Sequence, residues 1–179
     1  MRKIVGKKDK PVVLIEGKYL RLIKHGGWEF SQRSNCTGIV VVIAKTDDQK
    51  VILIKQYRLP VGKYCIEFPA GLVSDHGKKE PMAVAAKREL LEETGYKASK
   101  MTKILVGPAS PGSSSDCMTL FRAEGLVKFG QGGGDHTEDI EVCEVPLRRV
   151  DGWLRQMEKK GCLVDPKVYC GLYFLNKKI

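Results

Sequence analysis

Arg88-Glu89-Leu90-Leu91-Glu92-Glu93-Thr94-Gly95-Tyr96, with Glu80 eight residues before Arg88, is the stretch on which the reading of this 179-residue chain turns. On a helix, Glu89, Glu92 and Glu93 fall at i, i+3 and i+4 and share one face. Like charges at that spacing repel by a few tenths of a kcal/mol each, so something cationic should compensate. Arg88 precedes Glu92 by four positions and can pair with it, whereas Glu89 and Glu93 have no comparably placed basic partner within the helix. Oxygen-rich ligation of this kind suits Mg²⁺ or Mn²⁺, which bind few carboxylates and take their remaining ligands from substrate phosphates. The plainer structural reading is an acidic, solvated helix face.

Outward from that stretch, the pattern predicts one helix from about Pro81 to Thr94. Ala83, Val84, Ala85 and Leu91 lie between its charged positions, Pro81 suits the first turn, and Gly95 is a stop. Upstream, Gly38 to Ala44 and Val51 to Tyr57 read as strands joined by the turn Thr46-Asp47-Asp48-Gln49, followed by the extended Cys65 to Phe68. Downstream come strands near Lys103 to Val106, Met118 to Ala123 and Ile140 to Val145. Helices are predicted over Leu147 to Lys160 and Pro166 to Leu175, the latter capped by Asp165. Pro11 to Arg33 reads as an antiparallel meander of short strands with turns at Gly17 and Gly26-Gly27. The expected class is α/β, a sandwich with a mixed sheet, divided into a meander over 1–35 and a main domain over 36–179.

Composition bounds the function. A chain of 179 residues with 42% hydrophobic and 29% charged residues fits one globular domain with a small appendage. The run Gly38 to Ala44 is too short to span a bilayer, and the basic start Met1 to Lys8 lacks an apolar signal core. A cytoplasmic protein with no membrane partner is expected. The formal charge of +10 favours anionic partners, but the basic residues are dispersed, which reads as a solvated surface rather than a nucleic-acid stripe. Six cysteines without a C-x-x-C pair, and His25, His76 and His136 without ligand spacing, point to reduced thiols instead of zinc.

Glu80 through Tyr96 resembles the Nudix box, G-x5-E-x7-R-E-U-x-E-E-x-G-U, where U is a bulky apolar residue. Every position from Glu80 onward matches, with Tyr96 a looser fit to the last U. The departure is at the start: Gly71 precedes Glu80 by eight intervening residues instead of five, and the strict position holds Ser74. Gly71 is read as the box glycine, with the loop from Ser74 to Lys79 enlarged by three residues, a change that costs little in a loop. Two further features resemble the ADP-ribose pyrophosphatase and nucleoside diphosphate sugar hydrolase branch. One is Gln56 to Gly62 followed by Glu67-Phe68-Pro69-Ala70-Gly71; the other is Pro111 in Ser110-Pro111-Gly112, fifteen residues beyond Tyr96.

The resemblance implies a Nudix-type α/β/α sandwich that hydrolyses the pyrophosphate bond of a nucleoside diphosphate sugar. It implies Mg²⁺, with Mn²⁺ an alternative, held by Glu89, Glu93 and the Ala70 carbonyl, with Glu92 completing the cluster and Arg88 fixing a carboxylate. It also implies a homodimer whose meanders lean on the partner. Trp28 is then a candidate to stack on the base, and Arg58 to meet the diphosphate, alongside Glu67 and Pro111 as substrate-binding positions. For the general base, Asp135-His136-Thr137-Glu138-Asp139 is similar to the branch's acidic loop, and Glu138 is the first choice. His136 and a box glutamate remain open as alternatives. The segment before it, with Gly130, Gly132, Gly133 and Gly134, reads as a flexible lid candidate or as a long hairpin loop. Other Nudix nucleotides, or a non-catalytic sensing module, are the competing functions.

Overall fold

Strand β4 (Gly38–Lys45) organises the molecule, because its side chains serve two cores in strict alternation. Val41 and Ile43 turn to one face of the sheet and Val40, Val42 and Ala44 to the other, each at most 1% exposed. A strand covered on both faces reads as a continuous apolar run, as this one does. The first face meets α2 (Val150–Lys159) and α3 (Pro166–Leu175) through Val150, Leu154, Val168 and Leu172. The second meets α1 (Met82–Thr94) through Ala85, Ala86 and Leu90. The result is an α/β/α sandwich. The computed structural model describes residues 9–74, 77, 79–134 and 138–177.

The central sheet is mixed. Its path runs β11 (Leu163–Val164), β6 (Lys63–Glu67), β5 (Lys50–Arg58), β4, β9 (Cys117–Lys128), β8 (Tyr96–Pro108). Two strands sit off that path: β10 (Ile140–Pro146) pairs with β5, and β7 (Ala70–Val73) with β4. β4 runs antiparallel to β7, Val40 facing Gly71 and Val41 facing Ala70, and parallel to β9. That register brings Ala70 and Gly71 beside α1.

β8 and β9 are much longer than their apolar centres suggest. They form one antiparallel hairpin with a register shift between Lys103 and Leu105. The charged residues Lys97, Lys100 and Lys103 are exposed, so charge at these positions is compatible with the strand. At the other end of the chain, Leu147–Arg149 is a 3₁₀ turn, so α2 starts later than expected.

The strands β1 (Val12–Glu16), β2 (Leu20–His25) and β3 (Trp28–Arg33) form their own antiparallel sheet. Among them only Ile23 is buried. A seam ties this sheet to the rest: Ser31 N–H donates to Ser113 O at 2.9 Å and Ser115 N–H to Ser31 O at 3.0 Å. Arg33 adds an ion pair to Asp116 at 3.3 Å. All six cysteines are free; Cys65, Cys143 and Cys162 are buried, whereas Cys117 and Cys170 are exposed.

Candidate active site

The carboxylate helix stands over β7, and Gly71 shows how closely. A Cβ on Gly71 would lie 2.0 Å from Glu89 Cδ and 2.1 and 2.4 Å from its two oxygens, so the Glu89 carboxylate fills the space a side chain would take. This contact marks Gly71 as the residue that plays the box glycine's part. The enlarged loop closes on itself instead. Ser74, at φ 63°, donates its N–H to Glu80 Oε1 at 3.3 Å and accepts the Glu80 N–H on its hydroxyl at 3.2 Å. Asp75, His76 and Lys78 of that loop lie outside the described residues.

Arg88 gathers the acids of the helix. Its guanidinium donates to Glu80 at 2.9 Å, to Glu92 at 3.0 Å and to the Leu72 carbonyl at 3.0 Å, and it pairs with Glu89 at 2.8 Å. Glu89 therefore does have a basic partner, its own sequence neighbour, which helical spacing alone did not suggest. Burial is the largest influence on Arg88 and opposes its charge, but Glu80, Glu89 and Glu92 together outweigh it and raise its pKa.

Glu93 is different. Only 2% exposed, it accepts the Ala70 N–H on Oε2 at 3.0 Å. Burial pushes its pKa up to about 9, with Glu89 and Glu138 adding to the shift and the Ala70 N–H and Arg58 opposing it. A carboxylate walled in beside two others is a poor home for negative charge unless a cation joins it.

Above these groups opens a cleft of about 660 Å³. Its walls carry Arg58, Glu67, Ala70, Arg88, Glu89, Glu92 and Glu138, all singled out in the sequence. Arg58 is steered there by Glu67, across the β5–β6 hairpin, with Nε 2.8 Å from Glu67 Oε2. Trp28 and Pro111 are not brought to this cleft: Trp28 is 55% exposed on β3, and Pro111 lies in an exposed turn beside the cleft-lining Ala109. His136 lies outside the described residues. Arg33, Asp116 and Lys167 also line the cleft, and sequence reasoning missed them. Asp116 closes a loop already conspicuous for Ser110-Pro111-Gly112, but nothing local marks the other two. Among the described residues no three His, Cys, Asp or Glu groups already stand in a metal-ligand cluster. Arg88, paired with three of the acids, occupies the space between them.

Comparison with known proteins agrees with this geometry. The NUDIX domain family matches residues 36–161. An ADP-ribose pyrophosphatase of Bacillus subtilis is 41% identical over 142 residues, 79% of this chain and 73% of the relative. A methanol dehydrogenase activator of Bacillus methanolicus is 34% identical over 140 residues, 78% of this chain and 72% of the relative. A GDP-mannose pyrophosphatase of Cronobacter sakazakii is 34% identical over 148 residues, 78% of this chain and 73% of the relative. A crystal structure of an ADP compounds hydrolase superposes with a TM-score of 0.71 at 20% identity, covering 97% of this chain and 95% of the other, and shares the fold. With a box helix built around Arg88 and a family match over most of its length, the chain belongs to the Nudix family.

Proposed function

We propose that the protein hydrolyses the pyrophosphate bond of nucleoside diphosphate sugars, such as ADP-ribose or GDP-mannose, to a nucleoside monophosphate and a sugar phosphate. The observation that carries this reading is the cleft over α1, where three box acids are held by one arginine and a fourth is buried beneath them. The pyrophosphatase names of the relatives support the substrate class.

Nudix hydrolases work with divalent metal ions, and this donor set fits one. Glu93 is a buried carboxylate with raised pKa, Glu89 sits in the cradle Gly71 leaves open, and the Ala70 backbone is adjacent to both. Glu89, Glu93 and the Ala70 carbonyl would hold Mg²⁺ or Mn²⁺, with Glu92 at the open side. When bound, the ion neutralises the diphosphate and makes a water more acidic. The chain's own groups do the rest. Arg58 offers a forked donor to the diphosphate, oriented by Glu67. Glu138, at the cleft wall, takes the proton from the water whose oxygen bonds to phosphorus as the bridging P–O bond breaks. Arg88 keeps Glu89 and Glu92 from drifting apart.

The same reading includes a homodimer through the meander. Val12, Val13, Leu14, Ile15, Tyr19 and Trp28 are between 43% and 68% exposed, an apolar surface that a monomer would leave in water. Trp28, away from its own cleft, would then stack on a base in the partner's. Six free cysteines support a reducing, cytoplasmic setting, and among the described residues no helix is long and apolar enough to cross a membrane.

The test is phosphate release, after phosphatase treatment, from ADP-ribose, GDP-mannose, UDP-glucose, diadenosine polyphosphates and nucleoside triphosphates with Mg²⁺ or Mn²⁺. Turnover of diphosphate sugars that is lost in Glu93→Gln supports the reading. Turnover of triphosphates alone removes the substrate class, and no turnover with intact binding favours a sensing module.

A further inference from the structure

The glycines at 130, 132, 133 and 134 look like flexibility in the sequence, but the structure uses them for contact. Phe129 N–H donates to Gly95 O at 2.8 Å, Gly133 N–H to Glu93 O at 2.9 Å and Gly134 N–H to Glu92 O at 3.1 Å. Carbonyls in the last turn of a helix have no partner within it. Here those of Glu92 and Glu93 accept from the glycine segment, while Thr94 O accepts from Lys128 Nζ. At Gly132 and Gly134 the approach leaves no room for a side chain. A Cβ on Gly132 would lie 2.5 Å from Thr94 C and 2.6 Å from Glu93 O. A Cβ on Gly134 would lie 2.4 Å from Glu138 Oε2 and 2.7 Å from Glu138 Cβ.

We propose that Gly134 is a positioning residue for the reaction: by lacking a side chain it seats the Glu138 carboxylate against the end of α1, so that one backbone clamp aligns the base with the box glutamates. The inference rests on the role given to Glu138 above. The clamp fixes Gly134 through the Glu92 carbonyl, and Glu92 belongs to the same helical turn as Glu89 and Glu93. A shift of α1 would therefore carry the seat of Glu138 with it. Misplacement of a reacting group by about 1 Å can cost roughly 100-fold in rate.

Gly133 supplies the comparison. Its φ of +114° lies further from the left-handed region than the +78° of Gly134, so a replacement there is strained at least as much, yet a Cβ there meets nothing nearer than Ile140 O at 4.0 Å. Gly133→Ala thus measures backbone strain, and Gly134→Ala measures strain plus displacement of Glu138. Steady-state kinetics on ADP-ribose with Mg²⁺, and melting curves, would be recorded for both variants, Glu138→Gln and the Gly134→Ala/Glu138→Gln double variant. Gly134→Asn would be run beside them, because asparagine tolerates left-handed backbone yet carries the same Cβ. The expected result is a kcat for Gly134→Ala roughly 100-fold below that of Gly133→Ala, with similar KM and melting midpoint. The double variant should match Glu138→Gln alone. Equal kcat for the two alanine variants, or a further loss on adding Gly134→Ala to Glu138→Gln, would overturn the positioning role while leaving Glu138 as base. Parental kcat in Glu138→Gln would overturn the base assignment and the positioning role together.

Discussion

Replacing Glu93 by glutamine should remove, from the stability of the metal-free protein, a decline with rising pH that the parent carries. Burial leads the rise of the Glu93 pKa from 4.5 to about 9. Its neighbours are Glu89 and Glu138, which reinforce the rise, and the Ala70 N–H and Arg58, which oppose it. An acid whose folded pKa exceeds its unfolded one binds its proton more tightly in the folded state. Its contribution is complete below about pH 4.5 and is lost as pH rises through about 9. At about 1.36 kcal/mol per unit, that interval amounts to at most about 6 kcal/mol, a large part of the 5–15 kcal/mol that typically holds a domain together. Glutamine keeps the shape and an acceptor for the Ala70 N–H but has no proton to lose. Urea unfolding of both proteins in chelator, from about pH 5.5 to 8.5, reads the difference directly. The parent should lose up to roughly 1.4 kcal/mol per pH unit relative to Glu93→Gln, and Mg²⁺ should flatten its slope by favouring the carboxylate. Parallel curves for the two proteins would refute the argument that burial holds this group in its neutral form.

Gly71→Ala should force the Glu89 carboxylate out of its cradle, lowering kcat roughly 100-fold and weakening Mg²⁺ dependence of the rate; unchanged kinetics would contradict the close contact. Arg88→Met leaves Glu80, Glu89 and Glu92 crowded without their shared cation and should cost about 3 kcal/mol in denaturant unfolding, with partial recovery in Arg88→Lys. Ile15→Glu places a charge on the exposed apolar face of the meander; light scattering should find a dimer for the parent and a monomer for the variant, and a dimeric variant would move the interface elsewhere.

Much of the fold was legible because its elements obey simple periods. The continuous apolar run along Gly38 to Ala44 and the capped helix at Asp165-Pro166 predicted what is observed, and α1 begins within one residue of its expected start. The ends of β8 and β9 were not legible, since lysines facing solvent from a half-covered hairpin look locally like a loop. In the site, the box glutamates and Arg58 stood out through their spacing and motif. Arg33 and Lys167 did not, because they come from β3 and α3 and reach the cleft only through tertiary packing. For a related reason the glycine run showed only its freedom: composition does not register the close approach at Gly132 and Gly134.

The mutual hydrogen bonds between Ser74 and Glu80 tie off the enlarged loop at its base. With both ends held there, added length between them costs only about 0.6 kcal/mol per doubling of the loop. It is therefore a natural port for inserted sequence. A short peptide carrying a fluorophore, spliced in between Ser74 and Glu80, would be tethered at Glu80, the partner of the cleft-lining Arg88, while β7 and α1 keep their register.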